Sequence, residues 1–385
     1  MTNAQSTHSP PSAHSGAAAG IRTVDVHAHA IVGEVEAVVA GHPALAAQQA
    51  LDLRRNGEQS SAVSRRMVGE RIPQLTGLDR RLADMDATGI DVQVVSPSPS
   101  QYHYWAEPEL ARSVYHAAHR GIAALVEEEP NRFRGLGLVP LQHPGLLVEA
   151  LDDAVAGCGL AGVEISSHAP GLEGERTIEL SDARLEPFWA RAAELGAIVF
   201  LHPFGCTLDE RLDRYYLANT VAQPVENAVA LSHLIFAGVL DRHPGLQLLA
   251  AHGGGYLPTY IGRSDHAWAV RPEARGCRDA PSSYLRRLWF DSLVHSADGL
   301  RALVVAVGAD RVLLGSDYPF DMGVEEPLAR LAAAGLSPAD AAAVAGGNAV
   351  RLGLAAGPVA TELATTLLLA DTQQLATTAH AQERP

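Results

Sequence analysis

The sequence predicts an α/β protein with the architecture of a (β/α)8 barrel, also called a TIM barrel. Eight β-like apolar runs follow one another along the chain, and most intervals between them carry helical patterning, which is typical of a parallel sheet. Four of these runs end in a histidine or an aspartate. A barrel of this kind builds its metal or catalytic site from residues at the ends of its strands. The pattern therefore predicts both the fold and the position of the site.

The predicted strands occupy residues 22–28, 91–96, 134–139, 161–166, 197–202, 246–251, 287–292 and 311–316. Two connections are too long for a plain crossover. Residues 30–77 are predicted to form an inserted lid after the first strand, and residues 203–225 to be a second long connection on the catalytic face. We expect the barrel to span residues 21–356 and to end in helices at 337–354. A disordered leader at 1–20 precedes it, and an Ala- and Thr-rich tail at 357–385 follows.

Composition excludes several classes of protein. The chain has 385 residues, 47% of them hydrophobic, and a formal charge of −15, which argues against a nucleic-acid partner. No apolar run approaches the roughly 20 residues of a membrane span, so no membrane partner is expected. The first 20 residues lack the basic start and apolar core of a secretory signal. Three scattered cysteines, Cys158, Cys206 and Cys277, favour a reducing interior and a cytoplasmic location.

The chain contains no lysine, since all 29 of its basic residues are arginine. A carbamylated lysine between two metals, a Schiff-base lysine and the lysine of a phosphate-binding loop are therefore excluded.

The first strand ends in VDVHAH, which places His27 and His29 two residues apart. On a strand both side chains lie on the same face and can bind one ion, whereas on a helix they would be separated by about 200°. An H-x-H pair alone is weak support among 17 histidines, because it also fits two polar residues at a strand end. Three further strand ends that carry ligand-type residues strengthen the metal interpretation.

Those strand ends provide His202, His252 and Asp317. His202 is followed by Pro203, which stops the strand. His252 precedes three glycines and is a weaker candidate ligand; a neutral imidazole there could instead deprotonate a bound water. Asp317 could cap a helix, or could complete a set of three histidines and one aspartate. Zinc suits that set, although ligand type leaves manganese and iron open.

The chain resembles the amidohydrolase superfamily, in particular its branch of metal-dependent decarboxylases typified by aminocarboxymuconate-semialdehyde decarboxylase. The resemblance runs from about Val24 to Leu354 and is carried by a series of motifs along the chain. These are VDVHAHA, RLADMDATGIDVQVVSPSP, YWAEPE, NRFRGLGLVPLQ, LHPF, AAHGGGYLPTYIGR, SLVH, LGSDYPF and GGNAVRLGL.

The resemblance implies a non-oxidative decarboxylase of an unsaturated or aromatic carboxylic acid. It implies that His27, His29, His202 and Asp317 bind the metal, usually zinc, with a water in the remaining position. His252 matches the family histidine that activates this water, and Asp317 could also shuttle a proton. No organic cofactor is needed, because the metal and the conjugated substrate carry the developing charge.

The resemblance also implies how substrate is bound. Arg263 matches an arginine that reaches into the neighbouring subunit and binds a substrate carboxylate, which predicts a homodimer. Arg65 or Arg66 is expected to be the equivalent of a second family arginine, in the first insertion. Phe320 matches a pocket aromatic, and Phe204 stands where the family decarboxylase carries tryptophan.

Two other functions stay open at the level of sequence. A hydrolase or hydratase could use the same metal-bound water on a lactone, amide or enol acid, because a barrel alone does not specify a reaction. This alternative would be favoured if the first insertion presented no arginine to the site. A binding protein without catalysis would require an empty or occluded metal site.

Overall fold

A computed structural model describes residues 22–174, 176–205 and 208–355, so the leader at 1–20 and the tail at 357–385 lie outside the described residues. Eight strands form one parallel sheet in the order β1-β2-β3-β4-β7-β8-β9-β10, and β5 and β6 pair separately as an antiparallel ribbon. The predicted (β/α)8 fold is confirmed. The strands are β1 Val24–Ala30, β2 Val92–Pro97, β3 Phe133–Leu138, β4 Gly162–Ile165, β5 His168–Ala169, β6 Ile178–Glu179, β7 Ile198–Leu201, β8 Gln247–Ala250, β9 Trp289–Asp291 and β10 Val312–Leu313.

Hydrogen bonds between the first and last strands close the sheet into a barrel. The backbone N–H of Val26 donates to Leu314 O at 2.9 Å, and the N–H of Asp317 donates to His27 O at 2.8 Å. The N–H of His29 donates to Tyr318 O at 2.8 Å. Closure therefore continues past the end of β10 into the segment that carries Asp317.

Helices fill most connections, and residues 338–351 are helical, in agreement with the helices predicted at 337–354. Among the described residues, no helix is both long enough and apolar enough to span a membrane. The helices are α1 Gly33–Val39, α2 Pro43–Asn56, α3 Glu58–Thr76, α4 Leu78–Thr88, α5 Pro108–Glu128, α6 Leu147–Asp152, α7 Glu186–Leu195, α8 Leu217–Thr220, α9 Ala222–Phe236, α10 Val239–Arg242, α11 Leu257–Tyr260, α12 Gly262–Val270, α13 Ala297–Val307, α14 Pro327–Ala333, α15 Pro338–Ala342 and α16 Asn348–Arg351.

The alternation of side chains along β7 shows how the core positions the site. Val199 and Leu201 belong to the large apolar cluster that also contains Trp189 of α7. Ile198 and Phe200 belong to a second cluster, together with residues of the other strands. Because side chains alternate between the faces of a strand, His202 continues the register of Phe200, and its ring centroid lies 5.8 Å from that of Phe200.

The segment after β1 forms a helical insertion, built by α1, α2 and α3. Arg54 of α2 forms an ion pair with Asp209, with Nη1 and Oδ2 2.8 Å apart. Asp209 belongs to the long connection after β7, so the two long βα connections meet. Both belong to the carboxyl-terminal ends of their strands, where the candidate ligands lie.

Arg81 of α4 anchors the base of this insertion to the barrel. Its guanidinium is fully buried and donates to Gln93 Oε1 at 2.7 Å, to His29 O at 2.6 Å and to Gln74 O at 3.0 Å. Burial lowers the pKa of Arg81 to about 10, which leaves the side chain charged at neutral pH. The backbone at one end of β1 is thereby tied to both the helix and the neighbouring strand.

Candidate metal centre and active site

Four side chains converge at the carboxyl ends of three strands. His27 and His29 lie on β1, His202 follows β7, and Asp317 follows β10. One potential ligand atom from each of the four lies within 4.8 Å of the others, and all four residues are buried. The structure thus brings together all four residues that the sequence predicts as metal ligands.

The spacing of these atoms fits a single ion. His27 Nε2 lies 3.1 Å from His29 Nε2, and Asp317 Oδ1 lies 3.4 Å and 3.3 Å from these two nitrogens. Ligand atoms bonded to one zinc at about 2.0–2.2 Å stand at such separations. Within the described part of the chain, both ring nitrogens of His202 and Asp317 Oδ1 are buried without a hydrogen-bond partner. Unpartnered buried donors and acceptors are costly, and a bound ion would satisfy them.

Histidine–carboxylate pairs dominate the electrostatics of the cluster. Burial by itself would lower the pKa of His27, but the charges of Asp317 and Asp291 raise it to about 10. Burial would raise the pKa of Asp317, but the charges of His27 and His29 hold it well below its usual value. Burial and the neighbouring histidines lower the pKa of His202 well below its usual value.

His252 lies beside the four ligands and stands outside the group that could hold the ion. Its ring centroid is 5.3 Å from that of His27 and 4.9 Å from that of His202. Its Nε2 lies 3.9 Å from Asp317 Oδ2. Burial, followed by the charge of His27, lowers the pKa of His252 to about 4, so its imidazole is neutral at pH 7 and able to accept a proton.

Asp291, the last residue of β9, is a component of the site that sequence patterns did not single out. Its Oδ2 lies 2.6 Å from His27 Nδ1 and accepts the backbone N–H of His252 at 2.9 Å. The side chain is fully buried. A carboxylate on Nδ1 of a metal-binding histidine fixes the ring orientation and leaves Nε2 to the metal.

Glu164 of β4 is a second buried carboxylate that sequence patterns missed. It accepts a short hydrogen bond from the hydroxyl of Tyr102, and its Oε2 lies 3.7 Å from His29 Nδ1. Ser96 Oγ lies 3.1 Å from the same Nδ1. The signal for Glu164 and Asp291 was an acidic residue inside an otherwise apolar strand, since charged side chains are rarely buried without a partner.

Aromatic side chains lie near the cluster. The ring of Phe320 lies 5.5 Å from that of His29, measured between centroids. Phe204 is 40% exposed, and its ring lies edge-on to Tyr102, with centroids 6.2 Å apart. Tyr216 is partly buried with a left-handed φ of 60°. Burial and the charges of nearby carboxylates, among them Asp317, raise the pKa of Tyr216.

The arginines predicted to bind substrate are all on the surface of this chain. Arg65 and Arg66 lie on α3 and are exposed, and Arg263 lies near the start of α12 and is also exposed. The structure therefore brings none of the three into the buried cluster. Their role stays a prediction, and for Arg263 it requires a second subunit.

The fold and the cluster define a (β/α)8 protein of the metal-binding class, with one candidate ion site among the described residues, at the carboxyl ends of its strands. A family model described as amidohydrolase matches residues 24–352. The chain belongs to the amidohydrolase family.

Three curated relatives place it among decarboxylase-like members, which confirms the branch predicted from the motifs. A 2-amino-3-carboxymuconate-6-semialdehyde decarboxylase from Dictyostelium discoideum is 36% identical over 247 residues, or 64% of this chain and 67% of that protein. The protein of the same name from Caenorhabditis elegans is 29% identical over 349 residues, or 78% and 86% of the two chains. A gamma-resorcylate decarboxylase from Rhodococcus jostii strain RHA1 is 29% identical over 288 residues, or 71% and 86%.

Solved structures share the fold. A dihydroxybenzoic acid decarboxylase from Polaromonas sp. JS666, with bound manganese and the inhibitor 2-nitroresorcinol, aligns with a TM-score of 0.73 and 23% identity. The alignment covers 86% of this chain and 96% of that one. A 5-carboxyvanillate decarboxylase from Sphingomonas paucimobilis aligns with a TM-score of 0.72 and 23% identity, and covers 86% and 99%.

Replacing His202 and His252 should separate metal binding from catalysis. We expect His202→Ala to lose bound metal, because one of four ligands is removed, and His252→Ala to retain one ion per chain but lose about 10²–10⁴-fold in kcat. Elemental analysis after gel filtration and turnover at saturating metal measure the two effects. His243→Ala, at a histidine paired with Glu186 outside the cluster, serves as the control. Normal turnover by the His252 variant would contradict its assignment as a base.

Metal binding should release a proton from His27. The pKa of about 10 means that the ion-free protein holds a proton on this ring at pH 7, whereas the ring must be neutral to bind an ion. We therefore expect metal affinity to rise about tenfold per pH unit between pH 7 and 9. Calorimetry in buffers of different ionisation enthalpy counts the released protons, and a binding heat that is independent of the buffer would show that His27 is already neutral.

Proposed function

We propose that this protein is a metal-dependent, non-oxidative carboxy-lyase that acts on an unsaturated or aromatic carboxylic acid. The observation that carries the proposal is a buried set of three imidazoles and one carboxylate with a neutral histidine, His252, directly beside it. Curated relatives named as decarboxylases of such acids support the same conclusion. A hydrolase or hydratase of the same superfamily is the alternative, and the observation that favours it is the exposure of Arg65 and Arg66, which lie outside the buried cluster.

A divalent ion at this site would supply a Lewis acid and an acidified water. His252 would accept a proton, because burial lowers its pKa and leaves its ring neutral at pH 7. Protonated His252 would then donate this proton to the carbon that bears the substrate carboxylate. Asp317 would be a second proton carrier, since its Oδ2 lies 3.9 Å from His252 Nε2. Breaking the carbon–carbon bond then releases CO2 and leaves hydrogen in its place, so the reaction needs no oxidant and no organic cofactor.

Residues around the cluster suit a flat, anionic substrate. Phe320 and Phe204 would pack against its unsaturated or aromatic part. A substrate carboxylate that binds to an acidic protein needs a positively charged partner. The guanidinium of an arginine can donate two parallel hydrogen bonds to it. We propose Arg263 for this role, with Arg65 or Arg66 as the second arginine from α3.

We propose zinc as the ion, with manganese or iron as substitutes, because three imidazoles and one carboxylate suit all three. The manganese of the Polaromonas enzyme shows that this fold accommodates that ion in another protein. We also place the protein in the cytoplasm, where scattered cysteines stay reduced.

We further propose that the protein works as a homodimer with Arg263 donated across the interface. Tyr256 and Tyr260, close to Arg263 in sequence, are 48% and 69% exposed. Exposed tyrosines beside an arginine are the side chains that interfaces favour. A partner bound to this face would cover them and would bring Arg263 to a second site.

Metal-loaded protein tests the reaction directly. We expect CO2 release from at least one member of a panel of 2-amino-3-carboxymuconate-6-semialdehyde, 2,6-dihydroxybenzoate and 5-carboxyvanillate. The release should disappear on chelation and return with zinc or manganese. The matched control is His202→Ala under the same conditions. Metal-dependent hydrolysis of lactones or amides without CO2 from any acid would favour the hydrolase, and a wild-type protein that binds no metal would overturn both enzymatic functions.

Mixed dimers test the shared site. Arg263→Ala and His202→Ala should each be inactive alone, because one lacks the carboxylate contact and the other lacks the ion. Mixing the two subunits should restore up to about one quarter of wild-type activity if Arg263 acts across the interface, since one intact site forms per mixed dimer. Arg271→Ala removes another exposed arginine, close to Arg263 in sequence, and is the control for a general effect of lost charge. Mixtures that stay inactive would rule out donation in trans.

A further inference from the structure

Asp291 receives hydrogen bonds from four groups on three segments of the chain. Its Oδ2 accepts from His27 Nδ1 at 2.6 Å and from the backbone N–H of His252 at 2.9 Å. Its Oδ1 accepts from the N–H of Gly253 at 2.8 Å and from the N–H of Leu293 at 3.1 Å. One fully buried carboxylate therefore contacts both a candidate metal ligand and the backbone of the candidate base.

The backbone that contacts this carboxylate has an unusual conformation. His252 has a φ of 53°, and Gly253, Gly254 and Gly255 follow with φ values of 59°, 72° and 65°. In this turn the N–H groups of His252 and Gly253 both point at Asp291 and form a small concave anion site for its carboxylate. A β carbon on Gly253 would lie 2.5 Å from Val294 Cγ1, so an alanine cannot replace this glycine without displacing its surroundings.

We propose that Asp291 is the positioning residue that sets the metal ligand His27 and the base His252 relative to each other. The inference rests on the proposed metal centre. Because Nδ1 of His27 donates to Asp291, its Nε2 presents a lone pair to the ion. Because the N–H groups of His252 and Gly253 bind the same carboxylate, the ring of His252 is held beside the cluster despite its left-handed backbone.

The shared oxygen makes the two positions interdependent. Oδ2 accepts from His27 and from His252 at the same time, so any movement of the carboxylate displaces both groups. All four partners are donors. An asparagine at position 291 would have to direct its NH2 group at two of them, or force His27 into the tautomer that carries its proton on Nε2 and cannot bind the ion there.

Asp291→Asn tests the proposal in protein stripped of metal and then titrated with zinc against a competing chelator. We expect the zinc Kd to weaken by about 10–100-fold, the range typical when a partner of a metal-binding histidine is changed. At saturating zinc kcat should also fall, and this second loss should vanish when Asp291→Asn is combined with His252→Ala, since there is no longer a base to position. A weaker zinc Kd is expected only if Asp291 acts through His27, and a kcat loss that depends on His252 is expected only if Asp291 also acts through His252.

The matched control is Asp153→Asn. Asp153 Oδ2 lies 2.6 Å from His119 Nδ1, the same pair at the same distance as Asp291 and His27, but between α5 and the end of α6. This variant should lose stability and keep the zinc Kd and kcat of the wild type. If zinc binding weakened equally in the Asp153 and Asp291 variants, the cause would be general destabilisation of the fold. That result would overturn the proposal.

A measurement on the wild-type protein does not depend on whether a variant folds. Nitrogen-15 NMR of zinc-loaded protein labelled at histidine should show His27 protonated at Nδ1 and bound through Nε2; binding through Nδ1 would overturn the proposal. An unchanged zinc Kd in Asp291→Asn would do the same. Failure of the wild type to bind zinc would instead overturn the metal centre on which this proposal rests, so the two failures are distinguishable.

Discussion

The site depends on the contacts that hold the first and last barrel strands in register. The carboxylate of Asp25 lies between these two strands and links them. Its Oδ1 accepts hydrogen bonds from the backbone N–H groups of His27 and Ser316, at 3.1 Å and 3.0 Å. Its Oδ2 accepts from the hydroxyl of Ser316 at 2.6 Å and from the side-chain amide of Gln93 at 3.1 Å. His27 and Asp317 can share one ion because these contacts hold their two strands in register.

A second general feature is the concentration of buried acids around the cluster. Asp25, Glu164, Asp291 and Asp317 are all buried among the described residues. Isolated charges would be very costly there, so each is compensated by donors or by histidine. A divalent ion adds positive charge at the point where these carboxylates and imidazoles converge. The buried carboxylates around the cluster therefore favour a cation at this position.

Pattern and spacing were sufficient to predict the fold and the four converging residues. The eight strands lie within a few residues of their predicted bounds, because parallel barrel strands are buried on both faces and appear as apolar runs. His27, His29, His202 and Asp317 stand where those runs end, and in a parallel barrel all such ends meet on one face. The predicted position of His252 beside the ligands also agrees with the structure, since it follows the same rule.

Contacts between distant segments could not be predicted in this way. Asp291 and Glu164 end or interrupt apolar strands, but nothing local indicates which histidine each one faces. The three arginines expected at the substrate are exposed on helices, Arg65 and Arg66 on α3 and Arg263 on α12, and no strand register fixes where helical side chains point. Tyr216 lies in the long connection after β7, and no local pattern predicts that this connection meets the first insertion.

The sequence by itself determined the barrel, the face that bears the site and the types of residue that bind an ion there. These follow from side-chain alternation and from the shared direction of parallel strands, which are local properties. Only the tertiary structure decided which carboxylate orients which imidazole and that His252 stays neutral beside the ion site. Hydrogen bonds, burial and charge depend on atoms brought together from across the chain, and Asp291, 264 residues from His27, is the clearest case.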